Sequence, residues 1–203
     1  MRMKLVLASN NAKKLVELQA LFAPLGIELV TQGSLGIPEA EEPFETFVEN
    51  ALAKARHAAR ASGLPALADD SGLSVDALGG APGVRSARYA LDAGGEKSDA
   101  ANNERLLREL AGVADRRARF VCALVAVRAA HDPEPLIAMG RWSGEILTSA
   151  AGAGGFGYDP LMQIAALGGS VASLSAEVKN RHSHRALAAA QLMAQFREVW
   201  HLG

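Results

Sequence analysis

Two adjacent carboxylates, Asp69 and Asp70, are the residues of this sequence best suited to metal or acid–base chemistry. They follow the apolar run 66–68 and precede Ser71 and Gly72, so they are predicted to lie where a strand breaks. Because side chains alternate along a strand, the two carboxylates should point in different directions. One can then serve as a metal ligand while the other orients water or a second ligand. The alternative is that one caps a turn and the other is solvated.

A third acid, Glu42, lies in the segment 33–43, which is too acidic and too rich in Gly and Pro to be core. Glu42 can add an oxygen ligand, because Mg²⁺ prefers a few carboxylates together with water and phosphate oxygens. It can equally be a solvated loop acid beside Glu39 and Glu41.

The polar residues 9–11 follow a short apolar run and precede a helical pattern. Backbone N–H groups at the start of a helix bind phosphate, so residues 9–14 form a candidate anion site. Lys14 lies one turn into this helix and can meet a phosphate there, although an ordinary surface lysine would look the same.

A glycine-rich loop at 150–160 contains Phe156, Tyr158 and Asp159. In a flexible loop, the aromatic faces can stack on a base and the aspartate can accept base N–H groups. The alternative is a hairpin turn with Tyr158 packed on the sheet.

Three possible donors follow this loop, with Ser183 as a candidate helix cap between them. They are Lys179, His184 and Arg185. A lone histidine is usually structural or solvated, so this group gains meaning only beside the other motifs.

The hydrophobic pattern predicts the elements that position these residues. Helical spacing predicts a helix ending at Pro24 and Gly26, one over 44–62, one from Ser98 to Leu110 and a helical C-terminus with a buried stripe that includes Leu187. Residues 9–11 can cap the first helix and Ser98 the third. The stripe of the second helix includes Ala51, Ala55, Ala58 and Ala59. Strands are predicted at 4–8, 27–30, 67–77 as two short pieces, 119–127, 136–139 and 146–147. Strands and helices mix without strict alternation, which favours an α/β fold with a mixed central sheet flanked by helices. Loops at the strand ends would line a cleft.

Composition narrows the class of protein further. The 203 residues, 49% of them hydrophobic, predict a single domain over residues 1–203. Lys and Arg total 21 against 22 acids, so no positive field is available to hold a nucleic acid polymer. The single cysteine, Cys122, lies in an apolar run and is predicted to be buried. No signal-peptide core or membrane-length apolar run is present, so we expect a cytoplasmic protein that does not bind membranes.

Taken together, several strings resemble the inosine triphosphate pyrophosphatase family, which hydrolyses dITP, ITP and XTP. The resemblance runs in order along nearly the whole chain. Its strings are ASNNAKK at 8–14, FVENALAKA at 47–55, ALADDSGLSVDALGGAPGVRSARYA at 66–90, GGFGYDP at 154–160 and SHR at 183–185.

The resemblance implies a mixed α/β fold with two lobes around a deep nucleotide-binding cleft, usually as a homodimer. It implies hydrolysis of dITP, ITP, XTP and dXTP to the nucleoside monophosphate and pyrophosphate, with Mg as cofactor. The implied magnesium ligands are Glu42 and Asp70, and the implied catalytic carboxylates are Asp70 and Asp69. The implied substrate-binding residues are Ser9, Asn10, Asn11, Ala12, Lys14, Ser71, Phe156, Gly157, Tyr158, Asp159, Lys179, His184 and Arg185.

The mechanistic hypothesis is that Asp70 or Asp69 orients a water for in-line attack at the α-phosphorus. One rival is a Maf-type pyrophosphatase that favours modified pyrimidines, and the GFGYDP and SHR strings speak against it. The other is a nucleotide-binding regulator without turnover, which the full set of carboxylates at the matched positions argues against.

Overall fold

Residues 3–202 are described by a computed structural model of the chain. The strands are β1 Lys4–Leu7, β2 Glu28–Thr31, β3 Ala66–Val75, β4 Arg117–Val127, β5 Leu136–Ile146, β6 Met162–Ile164 and β7 Gly169–Ser170. The α-helices are α1 Ala12–Phe22, α2 Phe47–Ser62, α3 Asp99–Glu109, α4 Ala176–His182 and α5 His184–Val199. The strands form a seven-stranded sheet in the order β2-β1-β3-β4-β5-β6-β7. The predicted class, an α/β fold with a mixed sheet flanked by helices, is confirmed.

The sheet contains both parallel and antiparallel pairs. β1 runs parallel to β2 and β3, whereas β6 runs antiparallel to β5 and β7. β1 and β3 pair through Leu7 and Leu67, and the Ala8 N–H donates to the Leu67 carbonyl at 2.8 Å. This register brings the chain that leaves β1 to the level of Asp69.

The described chain divides into two compact units whose boundaries fall within β3, β4 and β5 and between α4 and α5. The first unit contains the residues through Asp70, Cys122–Gly140 and the residues from Ser183 onward. The second contains Ser71–Val121 and Arg141–His182. The single domain over 1–203 stays a prediction.

In the first unit, α1 and α5 share an apolar core with β1, β2 and neighbouring strands. The Phe22 and Phe196 rings meet edge to face with centroids 5.8 Å apart, and Phe196 contacts Trp200 in the same way at 4.9 Å. Such ring contacts stabilise the fold beyond the burial of apolar surface, and they hold α1 and α5 together.

The helix α2 packs on the sheet through an alanine face formed by Ala51, Ala55, Ala58 and Ala59. These positions were predicted from the helical spacing, and all four are buried. Because alanine side chains are short, α2 can lie close to the strands. A long side chain on this face can therefore reach the polar end of β3.

The predicted start of this helix, at Phe44, is wrong by three residues. The helix begins after Thr46, whose hydroxyl accepts from the Glu49 N–H at 3.2 Å and donates to the Glu49 carboxylate at 2.6 Å. The Thr46 hydroxyl thus satisfies one of the N–H groups that the first turn of a helix leaves unpaired, as an N-cap does. Phe44 is 42% exposed and lies outside the helix.

Three further predictions from the pattern are corrected. Residues 66–75 form one ten-residue strand rather than two short pieces, because the carboxylates within it find cationic partners. β5 likewise runs unbroken over Leu136–Ile146. Leu187 is 41% exposed, since α5 buries its opposite side through residues such as Ala188 and Leu192.

The second unit has its own apolar core, formed by residues of β3, β4, β5 and α3. Ser98 caps α3, as predicted, by accepting from the Ala101 N–H at 3.1 Å. Within residues 3–202, none of the helices is both long and apolar enough to cross a bilayer.

Candidate active site

Asp69 lies on β3 with a side chain that is 0% exposed. Its Oδ1 accepts a hydrogen bond from Lys14 Nζ at 2.7 Å, and its Oδ2 accepts one from Arg185 Nε at 2.6 Å. The Cys122 thiol, buried as predicted, lies 3.5 Å from the same Oδ2. Burial alone would raise the pKa of Asp69, but Arg185 and Lys14 outweigh it and hold that pKa well below its ordinary value. Asp69 is therefore a fixed anion with partners on both oxygens.

Arg185 links α5, on which it lies, to β3 and α1. It is the second residue of α5, two positions after the Ser183 cap, and it is 2% exposed. Besides Asp69, its guanidinium binds Glu17 of α1 through Nη1 at 2.5 Å. Burial alone would lower the pKa of Arg185, but the two carboxylates, Asp69 first, outweigh it and raise that pKa. The Arg185 guanidinium therefore lies between two acids, and its contact with substrate stays a prediction.

Asp70, the next residue of β3, binds a different cation. Lys54 Nζ donates to Asp70 Oδ1 at 2.9 Å, to Glu42 Oε1 at 2.6 Å and to the Asp69 carbonyl at 3.0 Å. We call Glu42, Lys54 and Asp70 the carboxylate–lysine cluster. The opposite orientation expected of adjacent strand residues is confirmed by the separate partners of Asp69 and Asp70.

The electrostatics of the cluster differ from those of Asp69. Burial raises the pKa of Asp70, and the Lys54 ammonium offsets that effect only in part. Burial alone would lower the pKa of Lys54, but Asp70 and Glu42 outweigh it and raise that pKa. Asp70 Oδ2 is buried and has no hydrogen-bond partner among residues 3–202. The cluster therefore contains a carboxylate oxygen that is ready to accept a ligand or a proton.

Lys54 was missed in the sequence, although a signal was present. It follows Phe47 by seven residues and Ala51 by three, so it lies on the apolar stripe of α2. A lysine on a buried stripe needs an anionic partner, because an unpaired buried charge is very costly. The nearby acids of β3 were the natural candidates.

The polar residues after β1 form a bonded turn. Asn11 caps α1, and its side-chain oxygen accepts from the Lys13 and Lys14 N–H groups at 3.0 and 3.1 Å. The Asn11 N–H donates to the Ser9 hydroxyl at 3.1 Å. The cap therefore uses two backbone N–H donors of the first turn. Ala12 is the first residue of the helix.

Asn10 extends this turn towards the neighbouring loop. Its side-chain oxygen accepts from the Gly33 N–H at 2.9 Å, and its amide donates to Glu39 at 3.3 Å. A Cβ added to Gly33 would lie 2.4 Å from that oxygen, so the approach depends on glycine. The residues 9–14 are thus held in one conformation before any ligand binds.

The aromatic loop, residues 154–160, belongs to the second unit and is tied down rather than flexible. Tyr158 is 5% exposed, and its hydroxyl donates to the Ser86 carbonyl at 2.8 Å. Burial raises the pKa of the Tyr158 hydroxyl. Of the two sequence interpretations of Tyr158, the packed one fits. Phe156 is half-buried.

Asp159 anchors this loop from within. Its Oδ2 accepts from the Phe156 N–H at 3.0 Å and from Lys179 Nζ at 2.9 Å. The same Lys179 ammonium lies 5.3 Å from the centroid of the Phe156 ring. Sequence reasoning grouped Lys179 with the loop, and the structure brings them together.

The last two predicted site residues flank these groups in the chain. Ser71 is a half-buried residue of β3 that directly follows Asp70. His184 is 8% exposed and opens α5. Its carbonyl oxygen would lie 1.8 Å from a Cβ added to Gly140, so β5 and the start of α5 touch closely.

The predicted site residues thus fall into two groups, one in each unit. The first unit joins residues 9–14, Glu42, Asp69, Asp70 and residues 184–185, with Lys54 added. The second unit joins residues 156–159 and Lys179.

We tested the cluster for its fit to the implied magnesium ion. Glu42 and Asp70 carry two negative charges against the single positive charge of Lys54, and Asp70 Oδ2 lacks a partner in residues 3–202. No group of three or more His, Cys, Asp or Glu side chains suited to a metal occurs in the described part of the chain. Two carboxylates suffice for Mg²⁺, which usually keeps several waters and binds substrate phosphates. The residues fit this ion.

Comparisons with known proteins agree with this fold. The structural class is that of mixed α/β proteins with a cluster of carboxylates and a lysine at the central sheet. Residues 5–195 match the Ham1 family. The chain belongs to the Ham1 family.

Curated relatives in two bacteria cover almost the full length of the chain. A dITP/XTP pyrophosphatase of Leptothrix cholodnii is 68% identical over 211 residues, spanning 98% of this chain and 100% of the relative. A dITP/XTP pyrophosphatase of Methylibium petroleiphilum is 66% identical, spanning 98% of this chain and 99% of the relative. The family predicted from the sequence strings is thereby confirmed.

Solved structures show the same fold. A HAM1 protein from Coxiella burnetii superposes with a TM-score of 0.89 at 44% identity, covering 97% of this chain and 100% of that one. A nucleoside-triphosphatase and dITP/XTP pyrophosphatase from Mycobacterium abscessus gives a TM-score of 0.70 at 40% identity, covering 99% and 100%.

Proposed function

We propose that this chain hydrolyses the non-standard purine nucleoside triphosphates dITP, ITP, XTP and dXTP to the monophosphate and pyrophosphate. This reaction would remove such nucleotides from the pool. The observation that carries the proposal is the buried Asp70 carboxylate oxygen that lacks a hydrogen-bond partner in residues 3–202, beside Glu42 and Lys54. The names of the relatives from Leptothrix cholodnii and Methylibium petroleiphilum support the same reaction.

In this proposal Asp70, rather than Asp69, acts on the attacking water. Both oxygens of Asp69 have cationic partners, which suits it to positioning and not to accepting a proton. Burial raises the pKa of Asp70, which makes its carboxylate a stronger base. Water attacks the α-phosphorus, its proton passes to Asp70, and the bond to the bridging oxygen of pyrophosphate breaks.

Glu42 and Asp70 are the residues that would hold Mg²⁺. When bound, this ion neutralises phosphate charge and polarises the phosphate oxygens. Lys54 holds the two carboxylates together, since its ammonium binds one oxygen of each. In this role the positive charge of Lys54 offsets the repulsion between the two neighbouring carboxylates.

We assign the triphosphate to the turn at residues 9–14. Ser9, Asn10 and Asn11 hold this turn, and Lys14 supplies a positive charge that is fixed by its bond to Asp69. Ala12 and Ser71 are proposed as further contacts with the substrate, through backbone or side chain. A positive charge held in place in this way stabilises phosphate charge without reorganising during the reaction.

We assign the purine base to the aromatic loop with Lys179, both in the second unit. The family resemblance implies His184 as a further contact with the substrate. The half-buried Phe156 ring offers a stacking face, while Gly157, Tyr158 and Asp159 shape and hold the loop. Arg185 acts instead through Asp69, because its guanidinium is enclosed between two acids.

The experiment is an assay of purified protein with ITP, dITP, XTP, GTP, ATP and a modified pyrimidine triphosphate. Pyrophosphate and monophosphate are measured with and without MgCl₂. Preferred hydrolysis of the pyrimidine would favour the Maf-type activity, and tight binding without product would favour a regulatory protein. Either result would overturn the proposal.

Two finer expectations accompany this proposal, namely a homodimer and a cytoplasmic location. Both come from the family resemblance and the sequence pattern. Light scattering coupled to gel filtration tests the first, and fractionation of cells that express the full chain tests the second.

A further inference from the structure

Helix α3 contacts the aromatic loop through two side chains one helical turn apart. Asp99 Oδ2 accepts a hydrogen bond from the Gly157 N–H at 2.8 Å. Asn103 Nδ2 donates one to the Gly157 carbonyl at 2.9 Å. Residues four apart lie on the same face of a helix, so the pair can bind both polar groups of one residue. We call this pair the Gly157 clamp.

We propose that Asp99 and Asn103 are positioning residues that fix the aromatic loop for base recognition. This inference rests on the proposed function, because it takes the purine base as the ligand of that loop. Neither residue belonged to the site predicted from the sequence.

The conformation of Gly157 explains why a clamp is needed. Its φ is +61°, in the left-handed region that glycine adopts freely and other residues avoid. A glycine in a loop has many alternative conformations, so its flanking residues are easily reoriented. Bonding both the N–H and the carbonyl selects one peptide orientation on each side and thereby the directions of Phe156 and Tyr158.

The rest of the loop is already fixed from the opposite end. Asp159 accepts from the Phe156 N–H, and the Tyr158 hydroxyl donates to Ser86. Gly157 lies between these two anchors and has no side chain that could hold it if the clamp were lost. The half-buried Phe156 ring would then sample several positions.

Packing alone does not account for Asn103. Its Oδ1 is buried and has no hydrogen-bond partner within residues 3–202, which is unfavourable for stability. An apolar residue would avoid that cost but could not donate to Gly157. The useful part of this side chain is therefore its Nδ2 donor.

The clamp and the loop on which it acts belong to the second unit, whereas Asp70 and Glu42 belong to the first. Its loss should weaken binding of the base in the ground state and the transition state alike, which raises KM and leaves kcat little changed. We expect Asp99→Ala and Asn103→Ala each to raise KM for ITP about threefold to tenfold, the effect of one lost hydrogen bond. Selectivity for ITP over ATP should fall, because a mobile loop discriminates less.

Conservative variants separate the hydrogen bond from charge and fold. Asp99→Asn keeps an acceptor for the Gly157 N–H and should behave like the wild type. Asn103→Asp places an acceptor against the Gly157 carbonyl and should raise KM most. Glu104→Ala is the matched control, since Glu104 is an exposed residue of the same helix that pairs with Arg108.

The measurements are kcat and KM for ITP and ATP, together with hydrogen exchange of peptides covering 154–160 in the full chain. Faster exchange there in Asp99→Ala, with no change in 66–75, supports the clamp. Values of KM and exchange equal to those of Glu104→Ala would overturn it, as would a fall in kcat alone. A wild type inactive on every triphosphate would refute the proposed function instead, and the exchange data would still decide whether the clamp holds the loop.

Discussion

Asp69 and Asp70 are consecutive residues of β3, yet their carboxylates bind different cations. Asp69 lies between Lys14 and Arg185, whereas Asp70 binds Lys54. The pKa of Asp69 is lowered well below its ordinary value, and that of Asp70 is raised. The fold therefore stabilises one charge and penalises its neighbour, which separates a structural acid from a reactive one.

Replacing Asp70 with Asn should abolish turnover without unfolding the protein. Loss of an electrostatic catalytic group commonly reduces the rate about a hundredfold or more. A raised pKa in the folded state means that the stability linked to Asp70 is present at low pH and is lost as the pH rises through that pKa. At pH 7.5 the variant should therefore melt at the same or a higher temperature than the wild type. Activity near that of the wild type in a pure sample would refute the assignment.

Replacing Asp69 with Asn should instead destabilise the chain. It leaves Arg185 buried with Glu17 as its remaining acid, a change on the order of 3 kcal/mol in the free energy of unfolding at neutral pH. Because the pKa of Asp69 is lowered in the fold, its contribution is present above the ordinary value of 3.8 and is lost as the pH falls further. Denaturant unfolding curves measured from pH 7 down to pH 3 should show the free energies of unfolding of the two proteins converging. A constant difference would contradict this account.

The sequence predicted most elements whose signals are local. Asn11, Ser98 and Ser183 were among the predicted caps, and each caps a helix in the structure. The alanine stripe of α2 was also visible, since periodicity reports which face is buried. The unbroken β3 was not predicted, because two acids within a strand look like a break until their partners are known.

Contacts between residues that are far apart in the sequence were harder to predict. The spacing gave no reason to join Arg185 with Glu17, which lies 168 positions away. Arg185 was therefore interpreted as a substrate contact and not as an internal ion-pair residue. The same holds for Asp99 and Gly157, which come from different motifs.

Replacing Gly140 with Ala should disturb the start of α5. The added Cβ would lie 1.8 Å from the His184 carbonyl oxygen, and backbone on both sides leaves no flexible group to move. We expect a loss of about 2 kcal/mol or more in the free energy of unfolding, as for other overpacked positions. Gly169→Ala is the control, because the nearest atom to its Cβ would be 3.8 Å away. Equal melting temperatures for the two variants would show that α5 can shift freely.

Activity should require a divalent hard cation, since the two carboxylates leave most ligand positions to water and phosphate oxygens. Dialysis against EDTA should remove turnover, and MgCl₂ should restore it. The first products should be pyrophosphate and monophosphate, because attack is placed at the α-phosphorus. Nucleoside diphosphate as the initial product, detected by ion-exchange chromatography, would contradict that placement.

ITP, dITP and XTP should be hydrolysed far better than ATP, and better than GTP. Hypoxanthine and xanthine present O6 as an acceptor, which a donor such as Lys179 or His184 can bind, whereas adenine presents a 6-amino donor. Each unpaired buried group costs about 1–3 kcal/mol, so two mismatches give discrimination of about thirtyfold to ten-thousandfold. GTP shares O6 and must be refused at its 2-amino group. Since the 2-oxo group of xanthine is also bulky, polarity at that edge has to contribute besides size. The check is kcat/KM for ITP, XTP, GTP and ATP at one MgCl₂ concentration, and equal values for ITP and ATP would leave only a general triphosphate hydrolase.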